Sequence, residues 1–239
     1  MDKSLNKLID ELKKILEERL LSILLYGSSV TEENTSDINL IIVVDKITAV
    51  DLKAVYPAVK KWVKTKNPPP LFMGNLEWFG SCDTYPMEYA DIKQRHKLLY
   101  GEDIVSQLSI KKGHLRLQCE SETKNLLIKL RQNYLLKNND KNEITELIKY
   151  GSKSFMAIFR TILRLQGDFV PENKNEVISL ISQRININEE IFKKILLFRK
   201  NKKIFDKNEL ENIIQILIDS IYEVLKYVDQ MQINKEEQL

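Results

Sequence analysis

At 239 residues the chain is long enough to bury one or two hydrophobic cores. Its net charge of only +3 excludes a strong nucleic-acid or membrane footprint. Cys82 and Cys119 are too few for a disulfide framework or a cysteine metal site. The charged amphipathic segment after Met1-Asp2-Lys3 is unlike a signal peptide, and no apolar run reaches the roughly 20 residues of a bilayer span, so a cytoplasmic location is expected.

In chain order, Leu5, Leu8, Ile9, Leu12, Ile15 and Leu16 recur at helical spacing and predict an amphipathic helix over residues 3 to 19. Ser22 to Tyr26 reads as a short strand. Asn39 to Val44 is apolar and β-branched, the pattern of a buried central strand. Val55, Val59, Trp62 and Val63 mark a helix that stops before Pro68-Pro69-Pro70, because proline lacks the N–H donor and clashes with the preceding turn. Leu71 to Met73 and Pro86 to Ile92 read as two further strands. This order predicts an α+β domain, a small mixed sheet with flanking helices, over residues 1–108.

From His114 onward the pattern is helical. Leu115, Cys119, Leu126 and Leu130 share one face, Phe155, Phe159, Ile162 and Leu163 another, and the segments 174 to 186, 188 to 200 and 207 to 231 continue the period. Gly167, Pro171 and Asn-rich links interrupt it. Residues 109–239 are therefore read as an all-helical bundle of about five helices.

The chemistry concentrates in LLYGSSVTEENTSDINLIIVV, Leu24 to Val44. A glycine and a serine at a strand-to-helix turn leave backbone N–H groups free for a phosphate and put no Cβ in its way. Asp37 and Asn39 lie two apart on a strand, so they share a face directed at whatever Gly27 and Ser28 hold. Two side-chain oxygens on one strand suit Mg²⁺, which commonly takes one or two carboxylates together with substrate phosphates.

These residues resemble the DNA polymerase beta-like nucleotidyltransferase superfamily, whose signature is Gly-Ser, a spacer, then Asp-x-Asp in an apolar strand. Here Gly27-Ser28 precedes Asp37-Ile38-Asn39. With a small α/β part ahead of a helical part, the chain is similar to bacterial two-domain proteins related to aminoglycoside nucleotidyltransferases. PMEYADIKQRHKLLYGEDI, Pro86 to Ile104, adds a strand-like acid and a Leu-Tyr-Gly-Glu-Asp turn to the likeness. The resemblance spans residues 15 to 108 and the helical half only in general character. It departs in two places: the spacer Ser29 to Ser36 is short, implying an abbreviated second helix, and Asn39 stands where the family has a second carboxylate.

The resemblance implies transfer of a nucleoside monophosphate from a nucleoside triphosphate to a hydroxyl acceptor, with Mg²⁺ or Mn²⁺ as cofactor. Gly27 and Ser28 would bind phosphate, and Asp37, Asn39 and Glu88 would form the catalytic and metal set, Asp91 and Asp83 being alternatives to Glu88. The acceptor, a small molecule or a protein, is not specified, and a homodimer is compatible with it. In relatives the helical domain lines the acceptor pocket, which makes Glu120 a candidate acceptor-binding residue. The competing reading of Glu120 is a solvated acid paired with Arg116 and Lys124 at i, i+4 spacing. Arg160 and Arg164 could hold phosphates but are expected on the surface, and His96 and His114 are expected to be structural. Because an amide carries no charge, the alternative function is a catalytically impaired nucleotide-binding or regulatory protein-interaction module.

Overall fold

The computed structural model describes residues 3–30, 38–137, 140–201, 206–234 and 236–239, without the side chains of 28, 29, 198–201 and 207. The chain divides into two compact units, Met1–Ile110 and Lys111–Leu239.

In the first unit, α1 (Lys3–Leu16) leads through a 3-10 turn to β1 (Leu20–Tyr26), and a second 3-10 turn, Gly27–Val30, follows. β2 (Asn39–Val44), α2 (Ala49–Val63), β3 (Leu71–Gly74), α3 (Asn75–Gly80), α4 (Pro86–Gln94) and β4 (His96–Gly101) complete it. The strands form one sheet in the order β3-β2-β1-β4. β1 is antiparallel to β2 and β4, while β2 and β3 are parallel. The parallel pair requires a crossover, which α2 supplies.

Strand alternation divides the work of the sheet between its two faces. Leu40, Ile42 and Val44 join Ile23 in a core built with Leu5, Leu8, Leu12 and Leu16 of α1 and Val55, Ala58 and Trp62 of α2. The intervening Asn39, Ile41 and Val43 belong to the other face. Met73, paired with Val43, lies on that second face and is touched by the Tyr89 hydroxyl of α4 at 3.9 Å. α4 therefore covers the face to which Asn39 belongs.

The expected strand over Pro86 to Ile92 is instead α4. Met87-Glu88-Tyr89 imitates a strand by alternating apolar and acidic residues, but Pro86 occupies the first helical turn, where its missing N–H has no partner to lose. Burial of Met87, Tyr89, Ala90 and Ile92 then stabilises the helix, and Tyr89 packs on Trp78 with ring centroids 4.8 Å apart while its hydroxyl donates to the Trp78 carbonyl. The fourth strand is β4, from His96 to Gly101. It ends at Gly101, φ +82°, where a Cβ would stand 1.9 Å from the Leu21 carbonyl oxygen. Glycine alone allows this approach, and the next residue, Glu102, donates its N–H to that same oxygen.

The second unit contains α5 (Lys112–Lys137), α6 (Lys141–Leu165), α7 (Lys174–Ser182), α8 (Glu189–Asn201) and α9 (Lys207–Gln230). Phe155 and Phe159 of α6 pack with Phe192 of α8 at centroid distances of 4.8 and 5.3 Å. Among the described residues no helix is long and apolar enough to cross a membrane.

The N-terminus of α2 is moored to the start of β1. Thr48 and Asp51 form a capping box, and Arg19 donates to Asp51 Oδ1 at 2.6 Å. The Arg19 hydrogen bond, seconded by Thr48, holds the Asp51 carboxyl well below the usual carboxylate range. Its folded value lies below its unfolded one, so this contribution is complete above about pH 4 and is lost as pH falls from there toward the folded value. Asp51→Asn is expected to lower the melting temperature at neutral pH, and the gap from the native protein should shrink as unfolding is followed from pH 7 down to pH 2. A gap independent of pH would show that charge at Asp51 plays no part.

Candidate functional site

The candidate site lies at one end of the sheet, and the strand register assembles it. β1 runs toward this end and finishes at Tyr26, while β2 and β4 begin there. Tyr26 is paired with Asn39 on one side and His96 on the other, so the three residues form a row across three strands. Gly27 follows Tyr26 with φ +78°, opening the 3-10 turn Gly27–Val30. A Cβ built on Gly27 would lie 3.7 Å from Asn39 Nδ2. The turn and the Asn39 amide are therefore immediate neighbours.

The last turn of α4 borders this row. His96 Nδ1 lies 3.0 Å from the Ile92 carbonyl oxygen, which orients the ring, and Nε2 lies 3.9 Å from Asp103. Arg95, immediately before His96, pairs with Asp91, and its side chain is only 10% exposed. Burial raises the Tyr26 phenol above its ordinary pKa. Tyr26, His96 and Arg95 had no motif to single them out in the sequence; only strand pairing brings them beside Gly27 and Asn39.

The sequence-predicted residues divide unevenly. Gly27 and Asn39 come together. Asp37 and the Ser28 side chain lie outside the described residues, although the Ser28 backbone belongs to the turn. Glu88 is exposed in the first turn of α4, so the strand placement that suggested it is corrected. It remains on the element that covers the Asn39 face. Lys93, a suggested neighbour for Glu88, donates to the Leu108 carbonyl at 3.3 Å. Asp83 is exposed between α3 and α4 and forms a hydrogen bond with Thr84. Among the described residues no group of three or more His, Cys, Asp or Glu is placed to hold a metal ion.

In the helical unit, Glu120 is engaged by both Arg116, at 3.3 Å, and Lys124. Lys124 first, and Arg116 with it, lowers the Glu120 pKa. Arg160 and Arg164 are each 8% exposed, which corrects the surface placement expected of them. They lie in the C-terminal half of α6, where Ile158 through Leu165 are all buried, and Arg160 donates to the Glu172 carbonyl at 3.4 Å. A guanidinium can be buried when its donors find carbonyls and its stem packs against apolar neighbours.

The chain matches no protein-family model and no curated protein. Among solved structures it is similar to a spectinomycin adenyltransferase from Enterococcus faecialis, crystallised with ATP and spectinomycin. The TM-score is 0.55 at 16% identity, over 95% of this chain and 99% of that one. The likeness establishes a shared α+β fold, a small mixed sheet followed by a helical region.

Within the site, Gly27 resists a side chain through its backbone conformation. A Cβ would find room, but the left-handed backbone would be strained by about 1–2 kcal/mol. Gly27→Ala is expected to lower unfolding free energy by about that amount in a denaturant titration. An unchanged midpoint would mean that the turn relaxes to negative φ at no cost.

Proposed function

We propose that the chain is a nucleotidyltransferase that moves a nucleoside monophosphate from a nucleoside triphosphate to the hydroxyl of a small acceptor molecule. The observation that carries this reading is the contact between the Gly27 turn and Asn39, enforced by the Tyr26–Asn39 pairing, in a fold shared with an adenyltransferase. A left-handed glycine followed by a 3-10 turn presents backbone N–H groups without a side chain in the way, which suits triphosphate oxygens.

The donor set fits a divalent cation held partly by substrate. Asn39 offers one neutral oxygen, and Asp37, its neighbour but one in sequence, supplies a carboxylate. One carboxylate and an amide are a sparse set, of the kind Mg²⁺ accepts when phosphates and waters complete its octahedron. When bound, Mg²⁺ or Mn²⁺ would neutralise phosphate charge.

The chain's own groups supply orientation and proton transfer. The acceptor oxygen attacks the α-phosphorus, the bond from that phosphorus to the oxygen bridging the β-phosphate breaks, and pyrophosphate leaves with the electron pair. From the family resemblance, Glu88 on α4 is the proposed general base for the acceptor proton; Asp91, one turn nearer His96, pairs with Arg95. Glu120 is assigned to α5 stability through Arg116 and Lys124 and takes no proton. Glu88→Gln should then reduce incorporation of labelled nucleotide by about 10²-fold or more, with nucleotide affinity unchanged. Asp91→Asn should lower the melting temperature by several degrees, because it leaves a buried guanidinium without its carboxylate. The reverse pattern would transfer the catalytic role to Asp91.

Asn39 favours a second reading, a nucleotide-binding module of weak or no turnover. Asn39→Asp distinguishes the two, since a second carboxylate tightens a cation site on which the amide places no charge. Calorimetric Mg²⁺ and ATP titrations should show affinity rising on the order of tenfold in Asn39→Asp and vanishing in Asp37→Ala. Incorporation of labelled nucleotide by the native protein establishes the enzyme, and binding without incorporation establishes the module. Equally weak binding by all three proteins would discard both readings.

A further inference from the structure

The start of β2 is held from outside the sheet. Ile38, between the two polar residues of the motif, donates its backbone N–H to Asn67 Oδ1 at 3.1 Å. Asn67 is only 7% exposed and sits in the link between α2 and β3. β3 runs parallel to β2, with Leu71 opposite Ile41, so this link returns to the end of the sheet where β2 begins.

Among the described residues, Asn67 belongs to a chain of hydrogen bonds. Its Nδ2 donates to Thr65 Oγ1 at 3.0 Å, Thr65 Oγ1 donates to the Trp62 carbonyl at 2.6 Å, and Trp62 Nε1 donates to the Pro68 carbonyl at 2.9 Å. Lys66, at φ +68°, reverses the chain between Thr65 and Asn67. The Asn67 amide cannot be turned end for end, because its oxygen would then face the Thr65 hydroxyl, already spent on Trp62, and its nitrogen would face the Ile38 N–H. The link is thus a rigid bracket that ends in one acceptor aimed at Ile38.

We propose that Asn67 is a positioning residue for the nucleotide site, fixing the Ile38 backbone at the start of β2 so that Asn39 is held beside the Gly27 turn to present to a metal-bound triphosphate. The assignment rests on the nucleotide reading above. Ile38 precedes the strand, so sheet pairing alone does not hold it; the Asn67 bond extends the order of β2 one residue toward the turn. Outer groups that orient ligating residues typically affect metal affinity or activity by about 10- to 100-fold. An Asn placed for stability alone would lack that effect.

The test compares native protein, Asn67→Ala, Asn67→Ser and Trp62→Phe. Trp62→Phe removes the Trp62–Pro68 bond from the same bracket without touching Ile38. Each is measured by ATP binding calorimetry with Mg²⁺, by thermal unfolding, and by hydrogen exchange of the peptide containing Ile38. Asn67→Ala is expected to weaken Mg·ATP binding by about tenfold or more and to speed exchange at Ile38. Asn67→Ser, whose shorter side chain falls away from Ile38, should do the same if Asn67→Ala fails to fold. Trp62→Phe should lower the melting temperature and leave binding unchanged. Native-like binding in Asn67→Ala or Asn67→Ser, or a loss matched by Trp62→Phe, overturns the positioning role while the nucleotide reading stands. Failure of the native protein itself to bind Mg·ATP removes the nucleotide reading, and the Asn67 assignment with it.

Discussion

The pairing of Tyr26 with Asn39 is the constraint from which the candidate site follows. It is one rung of the β1–β2 ladder, and a shift of one residue would exchange the two faces of β2. Leu40, Ile42 and Val44 would then leave the α1–α2 core, and Asn39 would turn into it. Hydrophobic burial therefore enforces the register. The same burial sets Asn39 beside the Gly27 turn, so a polar site is maintained by apolar residues on the opposite face.

Each neighbour of that rung is fixed by a different force. β4 reaches Tyr26 through His96, and its far end is secured where Gly101 meets Leu21 and where Ser22 Oγ donates to the Glu102 carbonyl at 2.9 Å. α4 is moored by the Tyr89–Trp78 contacts at its first turn and by the Ile92–His96 contact at its end. The α2–β3 link contributes Asn67. Three further segments thus converge on the end of the sheet where β1 meets β2.

The fold was readable where periodicity and punctuation agreed. Ser22 to Tyr26, Asn39 to Val44 and Leu71 to Met73 are strands, and the helical segments from His114 onward are α5 to α9, because apolar spacing and breakers such as Gly167 and Pro171 mark the same boundaries. Pro86 to Ile92 was misread because its alternation around Glu88 fits a strand locally, whereas Pro86 and the packing of Tyr89 on Trp78 select a helix. Burial of Arg160 and Arg164 was hidden because a single helix period does not reveal that α6 is enclosed on several sides. At the site, Gly27 and Asn39 were visible as a motif. Tyr26, His96, Arg95 and Asn67 were not, since they are brought there by pairings across 13 to 70 residues of chain that leave no local signature.

The central claim is that the Gly27 turn and the start of β2 receive the triphosphate of a nucleotide. The most direct measurement is a crystal structure of the protein grown with Mg²⁺ and a non-hydrolysable ATP analogue. The account predicts phosphate oxygens against the Gly27 and Ser28 backbone N–H groups and a cation beside Asp37 and Asn39. A nucleotide bound elsewhere on the chain, with the Gly27 turn and Asn39 making no contact to it, would contradict it.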